Sequence, residues 1–335
     1  MGNKQYNLNF DKLCEVSNVG KRLSEPIQLK GGLLHRMYCL ETTSSKYAVK
    51  ALNPQIMLRP KAMSDVLNGE RIAAIAAQYI PTLSAKSFSG KTVLELDGQY
   101  YMVFDWVEGT SLYNENITNA HCEQIGAILG KLHTIDFSLL SLTMPAAFTE
   151  ETTDWDGYLA VGRQSKLPWV EELSSHKDNL YDWNNRYLAA MKYLDVHLVI
   201  GHCDIGPKNV LWCNNEPVVI DWESAGYTNP SRECIVHALR WSDLYGRMNK
   251  ERFTAFVRGY ADITSFETVE WLVVMEAGLG PHWLEYNLKR SLGIESSDAA
   301  ERQLGTEQVF VTIDYLKRYE ASISQIAKLM TQITQ

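Results

Sequence analysis

Residues Val199 to Glu223 read VIGHCDIGPKNVLWCNNEPVVIDWE, and the interpretation of the whole chain starts from them. Two short apolar runs flank the polar segment 213–217, a pattern that is typical of two strands joined in a β-hairpin. Such a hairpin would bring Asn209, just before the first strand, close to Asp221, just after the second. We therefore expect a carboxamide and a carboxylate to lie side by side at the ends of adjacent strands.

The polar groups that this hairpin would assemble suit one kind of chemistry. An amide oxygen and a carboxylate, here Asn209 and Asp221, can bind a hard cation such as Mg²⁺, with water and phosphate oxygens as its other ligands. Asp204, on the loop that leads to Asn209, is a second carboxylate that can orient a substrate hydroxyl and accept its proton as the catalytic base. These are the parts of kinase-type phosphoryl transfer, in which positioning and charge neutralisation provide most of the catalysis.

The spacing of these residues resembles a known signature. The pattern His-x-Asp-x4-Asn at residues 202–209, followed about a dozen residues later by Asp221, is similar to the catalytic loop and metal-binding Asp of the protein-kinase superfamily. Protein kinases usually have Arg where this chain has Cys203, and Asp-Phe-Gly where it has Asp-Trp-Glu at 221–223. The Asp-Trp-Glu version resembles the aminoglycoside phosphotransferase and choline kinase branch, which phosphorylates small molecules. The resemblance covers roughly residues 27–290.

The part of the chain before this motif predicts a small antiparallel sheet with one helix. Alternating, β-rich stretches separated by turn residues predict five strands, at residues 27–29, 35–41, 46–51, 93–96 and 100–104. A helical pattern over residues 62–79 follows the third strand and ends before Pro81, which cannot donate a backbone hydrogen bond.

The family resemblance assigns nucleotide binding to this part. Lys50, in the strand Tyr-Ala-Val-Lys, would anchor the phosphates, and Glu70 in the helix would form an ion pair with it. A Gly-Gly pair would let the backbone approach the phosphates, and backbone groups of an interlobe hinge would bind adenine. Family members often have Ser-Asn after Gly-Gly-Leu, whereas this chain has Leu34-His35, so phosphate binding by a side chain or by backbone alone both stay open. The residues assigned to nucleotide binding are Lys50, Glu70, Gly31, Gly32, Asp105 and Val107.

The chain after residue 223 predicts mainly helices that carry acidic and aromatic residues. Such residues could line a pocket for an amine- or sugar-bearing ligand, or equally form a helical core and its solvated rim. The candidates for substrate binding are Glu223, Asp243, Glu276 and Trp283. Glu223 could instead support the metal ligands, and residues 137–178 could shape the mouth of a substrate site or simply connect helices. Residues 295–335 predict two helices.

Composition narrows the class of protein. With 45% hydrophobic and 21% charged residues, the 335-residue chain is ordinary for a soluble globular protein. Its net charge is −8, whereas nucleic-acid-binding proteins usually carry a positively charged surface. The negative charge modestly favours a cationic small substrate, or it only keeps the protein soluble. The six cysteines form no Cys-x-x-Cys pair, which favours reduced thiols and a cytoplasmic location. No apolar run predicts a membrane span, and a monomer or a homodimer is expected.

Together these patterns predict an α+β, two-lobed protein-kinase-like fold. Residues 1–108 would form a nucleotide-binding lobe with the five-stranded sheet and its helix, and residues 109–335 a larger, mainly helical catalytic and substrate-binding lobe. The resemblance implies a Mg²⁺-dependent kinase that transfers the γ-phosphoryl group of ATP or GTP to a hydroxyl of a small molecule. An aminoglycoside-type antibiotic leads as the acceptor, ahead of choline, another amino alcohol or a sugar-like metabolite. A catalytically silent protein that binds nucleotide or a partner as a scaffold is the alternative from another class.

Overall fold

The computed structural model describes residues 5–29, 34–266, 270–295 and 298–334. The chain forms two compact units. The sheet unit comprises residues 1–117, 131–142 and 200–226, and the helical unit comprises residues 118–130, 143–199 and 227–335. Residues 200–226, which include Asp204, Asn209 and Asp221, therefore belong to the same unit as the five-stranded sheet. The expected division after residue 108 stays a prediction.

The sheet unit is built on five antiparallel strands. They are β1 (Ile27–Gln28), β2 (Arg36–Glu41), β3 (Lys46–Ala51), β4 (Leu94–Leu96) and β5 (Gln99–Asp105), in the order β1-β2-β3-β5-β4. All five predicted strands are present, with each end within one residue of its predicted place. Lys50 in the central strand is paired with Met37 on one side and Met102 on the other, so these three side chains share one face of the sheet.

Each face of the sheet is covered by a helix. Helix α1 (Phe10–Ser17), whose N-terminus is capped by the side chain of Asn9, places Leu13 against one face. Helix α2 (Ala62–Ala76) places Val66 against Met102 on the other face. Helix α2 therefore packs on the face of the sheet that carries Lys50.

The predicted hairpin is confirmed. Strand β6 (Val199–Gly201) leads into the polar loop, β7 (Val210–Cys213) pairs with β8 (Glu216–Val219), and β9 (Gly226–Thr228) follows. The backbone N–H of Ile220 donates to the carbonyl oxygen of Asn209 at 2.9 Å. The residue before the first hairpin strand and the residue after the second are therefore neighbours, as the sequence predicts.

The helical unit contains most of the helices. They are α3 (Asn119–His133), within which the unit boundary falls, α4 (Trp155–Gln164), α5 (Val170–Ser175), α6 (Lys177–Leu194), α7 (Pro230–Ser242), α8 (Lys250–Ala261), α9 (Trp271–Glu276), α10 (His282–Ser291) and α11 (Ala299–Thr334). A small hairpin, β10 (Asp243–Leu244) and β11 (Arg247–Met248), joins α7 to α8. No helix in the described part of the chain combines the length and the apolar character that a membrane crossing requires.

The prediction of two helices for residues 295–335 was wrong, because α11 is one continuous helix. Gly305 lies inside it, where a glycine suggests a break. Its backbone instead approaches α10 so closely that a Cβ atom would lie 2.7 Å from the amide nitrogen of Ser291. The glycine therefore marks a close helix–helix contact, and not a helix end.

Candidate active site

Lys50 lies at the centre of the candidate site and contacts two carboxylates. Its Nζ donates to Asp221 Oδ1 at 2.5 Å and to Glu223 Oε2 at 3.2 Å, and the residue is only 9% exposed. Burial alone would lower the pKa of Lys50, but the charges of Asp221 and Glu223 outweigh burial and hold this pKa above its ordinary value. Lys50 is thus a fixed cation in the sheet unit.

Asp221 adopts an unusual backbone conformation. Its φ of 68° and ψ of 66° are in the left-handed region, which Asp tolerates better than most residues. The strand before it is held in place by the segment after α2, because Leu83 N donates to the carbonyl of Val219 at 3.0 Å and Val219 N donates to the carbonyl of Pro81 at 2.9 Å. The chain therefore turns sharply at Asp221, two residues after Val219, whose N–H and carbonyl groups are both hydrogen-bonded to the segment after α2.

His202 connects the polar loop to the end of the hairpin. The Asp204 amide donates to its Nδ1 at 3.2 Å, so Nδ1 is the acceptor and Nε2 carries the proton. Nε2 donates in turn to the carbonyl oxygen of Ile220 at 3.0 Å. His202 therefore holds the polar loop to the backbone beside Asp221.

Asp204 and Asn209 hold each other across the loop. Asn209 Nδ2 donates to both the carbonyl oxygen and the carboxylate Oδ2 of Asp204, each at 2.8 Å. Lys208 Nζ also contacts Oδ2, at 3.1 Å. Because both partners of the Asn209 amide group are acceptors, its Nδ2 must face them, and Oδ1 is the atom left for a cation. The Asp204 side chain is 23% exposed, so a substrate hydroxyl can reach it.

The donor atoms of Asn209 and Asp221 fit a Mg²⁺ ion. Among the described residues there is no group of three His, Cys, Asp or Glu side chains that could hold a metal. A Mg²⁺ site completed by waters and phosphate oxygens needs fewer protein ligands, and an amide oxygen with one carboxylate is a suitable pair. The assignment of both residues to a metal stays a prediction.

The expected ion pair between Lys50 and Glu70 is not formed, since no nitrogen–oxygen distance within 4 Å joins them while Lys50 contacts Asp221 and Glu223. Glu70 is 6% exposed and its Oε2 accepts a hydrogen bond from Ala85 N at 2.6 Å. Burial raises the pKa of Glu70 to about 7, although the Ala85 amide and the charge of Lys50 oppose this shift. Glu70 is thus a buried acid that holds the segment after α2.

His35 is a site residue that the sequence analysis did not select. Its Nε2 lies 3.3 Å from Glu223 Oε2, and its Nδ1 accepts a hydrogen bond from Asn53 N at 2.9 Å. Burial alone would raise the pKa of Glu223, but Lys50 and His35 together hold it well below its ordinary value. The one signal in the sequence was that Leu34-His35 departs from the family pattern at this loop.

The other residues assigned to nucleotide binding are placed as follows. Gly31 and Gly32 lie outside the described residues. Asp105 ends β5 opposite Tyr47, and its side chain forms an ion pair with Lys86 Nζ at 2.7 Å. The carbonyl oxygen of Val107 accepts a hydrogen bond from Gly109 N at 3.0 Å. These assignments stay predictions.

The substrate candidates of the helical unit have separate surroundings. Glu276 forms an ion pair with Arg186 at 3.1 Å, and Asp243 Oδ2 accepts a hydrogen bond from Gly246 N at 3.3 Å in the small hairpin. Trp283 is 42% exposed and stacks on another aromatic ring of α10, at 5.4 Å between centroids. The structure does not bring these three residues into one cluster.

A cavity of about 380 Å³ lies within the helical unit. Four glutamates line it, namely Glu150, Glu151, Glu285 and Glu295, together with Tyr286. Lys289 also lines the cavity and forms an ion pair with Glu285 at 2.8 Å, so acidic groups outnumber basic ones at its wall. An acidic wall with an aromatic ring suits a cationic group.

The sheet, the hairpin and the polar residues around Lys50 define a protein of the kinase-like phosphotransferase class. Residues 26–268, more than half of the chain, match the phosphotransferase enzyme family (APH), and the chain therefore belongs to this family. It is accordingly a phosphotransferase that acts on hydroxyl groups of small molecules. No curated protein matches the chain.

Several solved structures are similar over almost the whole chain. A spectinomycin phosphotransferase in complex with ADP and spectinomycin is 14% identical, with a TM-score of 0.68 over 95% of this chain and 99% of that one. A microcompartment-associated aminopropanol kinase is 14% identical, with a TM-score of 0.59 over 94% and 98%. A choline kinase from Cryptosporidium parvum is 13% identical, with a TM-score of 0.56 over 95% and 96%. At these identities the likeness shows a shared protein-kinase-like fold.

Proposed function

We propose that this phosphotransferase transfers the γ-phosphoryl group of ATP or GTP to a hydroxyl of a small, cationic polar molecule, and that an aminoglycoside-type antibiotic is the first candidate acceptor. One observation carries the proposal. Within one compact unit, the backbone hydrogen bond between Ile220 and Asn209 joins a half-buried, oriented Asp204 to the pair formed by Asp221 and Lys50. A base, two metal-binding donors and a phosphate-binding cation are the groups that phosphoryl transfer requires.

Each residue of the candidate site would have its own role in phosphoryl transfer. Asp204 would accept a hydrogen bond from the acceptor hydroxyl and take its proton as the oxygen attacks, while Asn209 and Lys208 hold Oδ2 and fix the carboxylate. Lys50 would neutralise charge on the phosphates. Asn209 and Asp221 would hold Mg²⁺, and the bound metal and nucleotide supply charge neutralisation and the phosphoryl group.

A cationic acceptor is supported by several observations. The net charge is −8, and acidic side chains with an aromatic ring line the cavity of the helical unit. The similar solved structures include kinases for spectinomycin, aminopropanol and choline, which carry amino or quaternary ammonium groups. All six cysteines lie within the described residues and none is in a disulfide, which supports a cytoplasmic location, where nucleotide is also present.

The test is phosphorylation by purified protein with Mg²⁺ and either ATP or GTP, against aminoglycosides, spectinomycin, choline, amino alcohols and sugars. Phosphorylated product is identified by mass spectrometry and phosphorus NMR. We expect turnover of at least one antibiotic, and expression in a sensitive bacterium should raise the inhibitory concentration of that antibiotic. Turnover of only amino alcohols would identify them as acceptors, and no product with any acceptor despite bound nucleotide would favour a silent scaffold.

The predicted base provides a sharper test. Asp204→Asn should lower kcat about a thousandfold, because the amide cannot accept the hydroxyl proton, while the Kd for nucleotide stays close to wild type. The exposed Asp65 of α2 provides a matched control, since Asp65→Asn removes the same charge from the same unit. Equal kcat values for Asp204→Asn and Asp65→Asn would contradict the role of Asp204.

A further inference from the structure

His35 joins three segments of the sheet unit. It precedes β2 directly and is 6% exposed. Its Nδ1 accepts a hydrogen bond from Asn53 N, just after β3, at 2.9 Å, and its Nε2 lies 3.3 Å from Glu223 Oε2. One buried imidazole therefore connects the start of β2, the end of β3 and the segment that follows the hairpin.

The partners of His35 determine which of its nitrogens carries the proton. The backbone N–H of Asn53 can only donate, so Nδ1 must keep its lone pair to accept it. In neutral His35 the proton is then on Nε2, the nitrogen that faces the Glu223 carboxylate. His35 is therefore a hydrogen-bond donor whose direction is fixed by the backbone.

The strand register explains why His35 and Lys50 reach the same carboxylate. Lys50 is paired with Met37, and directly paired residues lie on the same face of the sheet. His35 lies two residues before Met37, so alternation places it on that face too. His35 Nε2 and Lys50 Nζ both approach Oε2 of Glu223, at 3.3 and 3.2 Å. Two donors, one in β3 and one just before β2, thus hold a single oxygen atom.

The other carboxylates near Lys50 have different partners or roles. The Oε2 atom of Glu70 accepts the hydrogen bond of the Ala85 amide. Asp221 contacts Lys50 but is also the predicted metal ligand, so its oxygens are needed for the cation. Glu223, by contrast, contacts both Lys50 and His35 and is not a predicted metal ligand.

We propose that His35 is a positioning residue that holds Glu223 as the counter-ion of Lys50, the role that the family pattern assigns to Glu70. This inference rests on the proposed nucleotide-dependent function, in which Lys50 anchors phosphates. The Glu223 carboxylate keeps the ammonium group of Lys50 in place, and His35 keeps the carboxylate in place. A change at His35 therefore alters nucleotide binding without touching the nucleotide.

Two substitutions separate the two hydrogen bonds of His35. The amide nitrogen of Gln can replace Nε2 and donate to Glu223, whereas the amide oxygen of Asn can replace Nδ1 and accept from Asn53 but cannot reach Glu223. For AMP-PNP with Mg²⁺, measured by calorimetry, His35→Asn should raise Kd about tenfold and His35→Gln less than about threefold. Glu70→Gln should raise Kd less than His35→Asn does. Thermal unfolding and near-UV circular dichroism show whether each variant is folded.

A double-mutant cycle provides the decisive readout. In a Glu223→Gln background, His35→Asn should have no further effect on Kd, because the carboxylate that His35 positions is gone. An additive effect in that background, wild-type affinity in His35→Asn, or equal losses in the Asn and Gln variants would overturn the proposal. Nitrogen NMR of the imidazole, without nucleotide, should show a protonated Nε2 whose shift changes in Glu223→Gln. If the wild type bound no nucleotide, the proposed function would fail, and this NMR measurement would still decide the His35–Glu223 contact.

Discussion

At the scale of single residues, burial changes the chemistry of Glu70 most clearly. Glu70 is a buried residue of α2, and burial raises the pKa of its carboxyl group from 4.5 to about 7. Between these two values the folded protein keeps a proton on Glu70 that the unfolded chain has already lost. The unfolding free energy therefore falls as pH rises from about 4.5 to about 7 and is then constant, with a total loss of about 3 kcal/mol.

Glu70→Gln should remove this pH dependence, because the amide does not titrate and its oxygen can still accept from Ala85 N. The measurement is urea unfolding of both proteins at several pH values from about 5 to about 8. We expect the unfolding free energy of wild type minus that of Glu70→Gln to decrease as pH rises. Glu95→Gln, at an exposed position of β4, is the matched control. A difference that grows with pH would show that Glu70 is stabilised as the ion.

The sequence predicts which residues of the candidate site lie close together, because their order and spacing carry information. Asp204 and Asn209 lie in one loop, and the hairpin brings Asp221 beside them, as the apolar runs predict. The partner of Lys50 could not be predicted in the same way. Several carboxylates lie near it, and which one it contacts depends on side-chain distances that neither spacing nor charge pattern encodes.

At the scale of elements, Gly69 sets the distance between α2 and the segment after the hairpin. A glycine inside a helix is normally destabilising by about 1 kcal/mol relative to alanine. At Gly69, however, a Cβ atom would lie only 2.3 Å from the carbonyl oxygen of Trp222, next to both Asp221 and Glu223. The close approach outweighs helix propensity, because backbone on both sides cannot move aside easily.

Gly69→Ala should therefore lower the unfolding free energy by about 2 kcal/mol and weaken AMP-PNP binding, since α2 must move away from the segment that carries Asp221. Denaturant unfolding and calorimetry measure the two effects. Gly226→Ala is the control, because a Cβ atom there would meet nothing within 4 Å and no positive φ opposes it. A Gly69→Ala protein more stable than wild type would mean that helix propensity dominates.

The prediction of elements succeeded where local pattern alone decides them. Strand β3 has the predicted bounds, because alternation and turn residues define it. Residues 295–335 were predicted as two helices, whereas α11 is one. Its continuity depends on packing against α10, and a contact between distant segments leaves no local signal.

At the scale of the whole molecule, the family match ends before the helical unit does. The match stops at residue 268, whereas α11 extends from Ala299 to Thr334. Helix α11 is nevertheless part of the core of that unit. Ile313 is fully buried, and the hydroxyl of Tyr319 donates to the carbonyl oxygen of Met275 at 2.6 Å. The C-terminal helix therefore packs into the core of the helical unit.

Ile313→Ala should accordingly lower the free energy of unfolding of the helical unit by about 3 kcal/mol, the usual cost of removing a buried isoleucine side chain. Val311→Ala, at a 55% exposed position of the same helix, should change it by less than about 0.5 kcal/mol. Denaturant unfolding followed by tryptophan fluorescence measures both. The Kd for AMP-PNP should stay within about threefold of wild type, because the proposed nucleotide-binding residues belong to the sheet unit. Equal stability of the two variants would mean that α11 does not contribute to the core, and that the fold is complete where the family match ends.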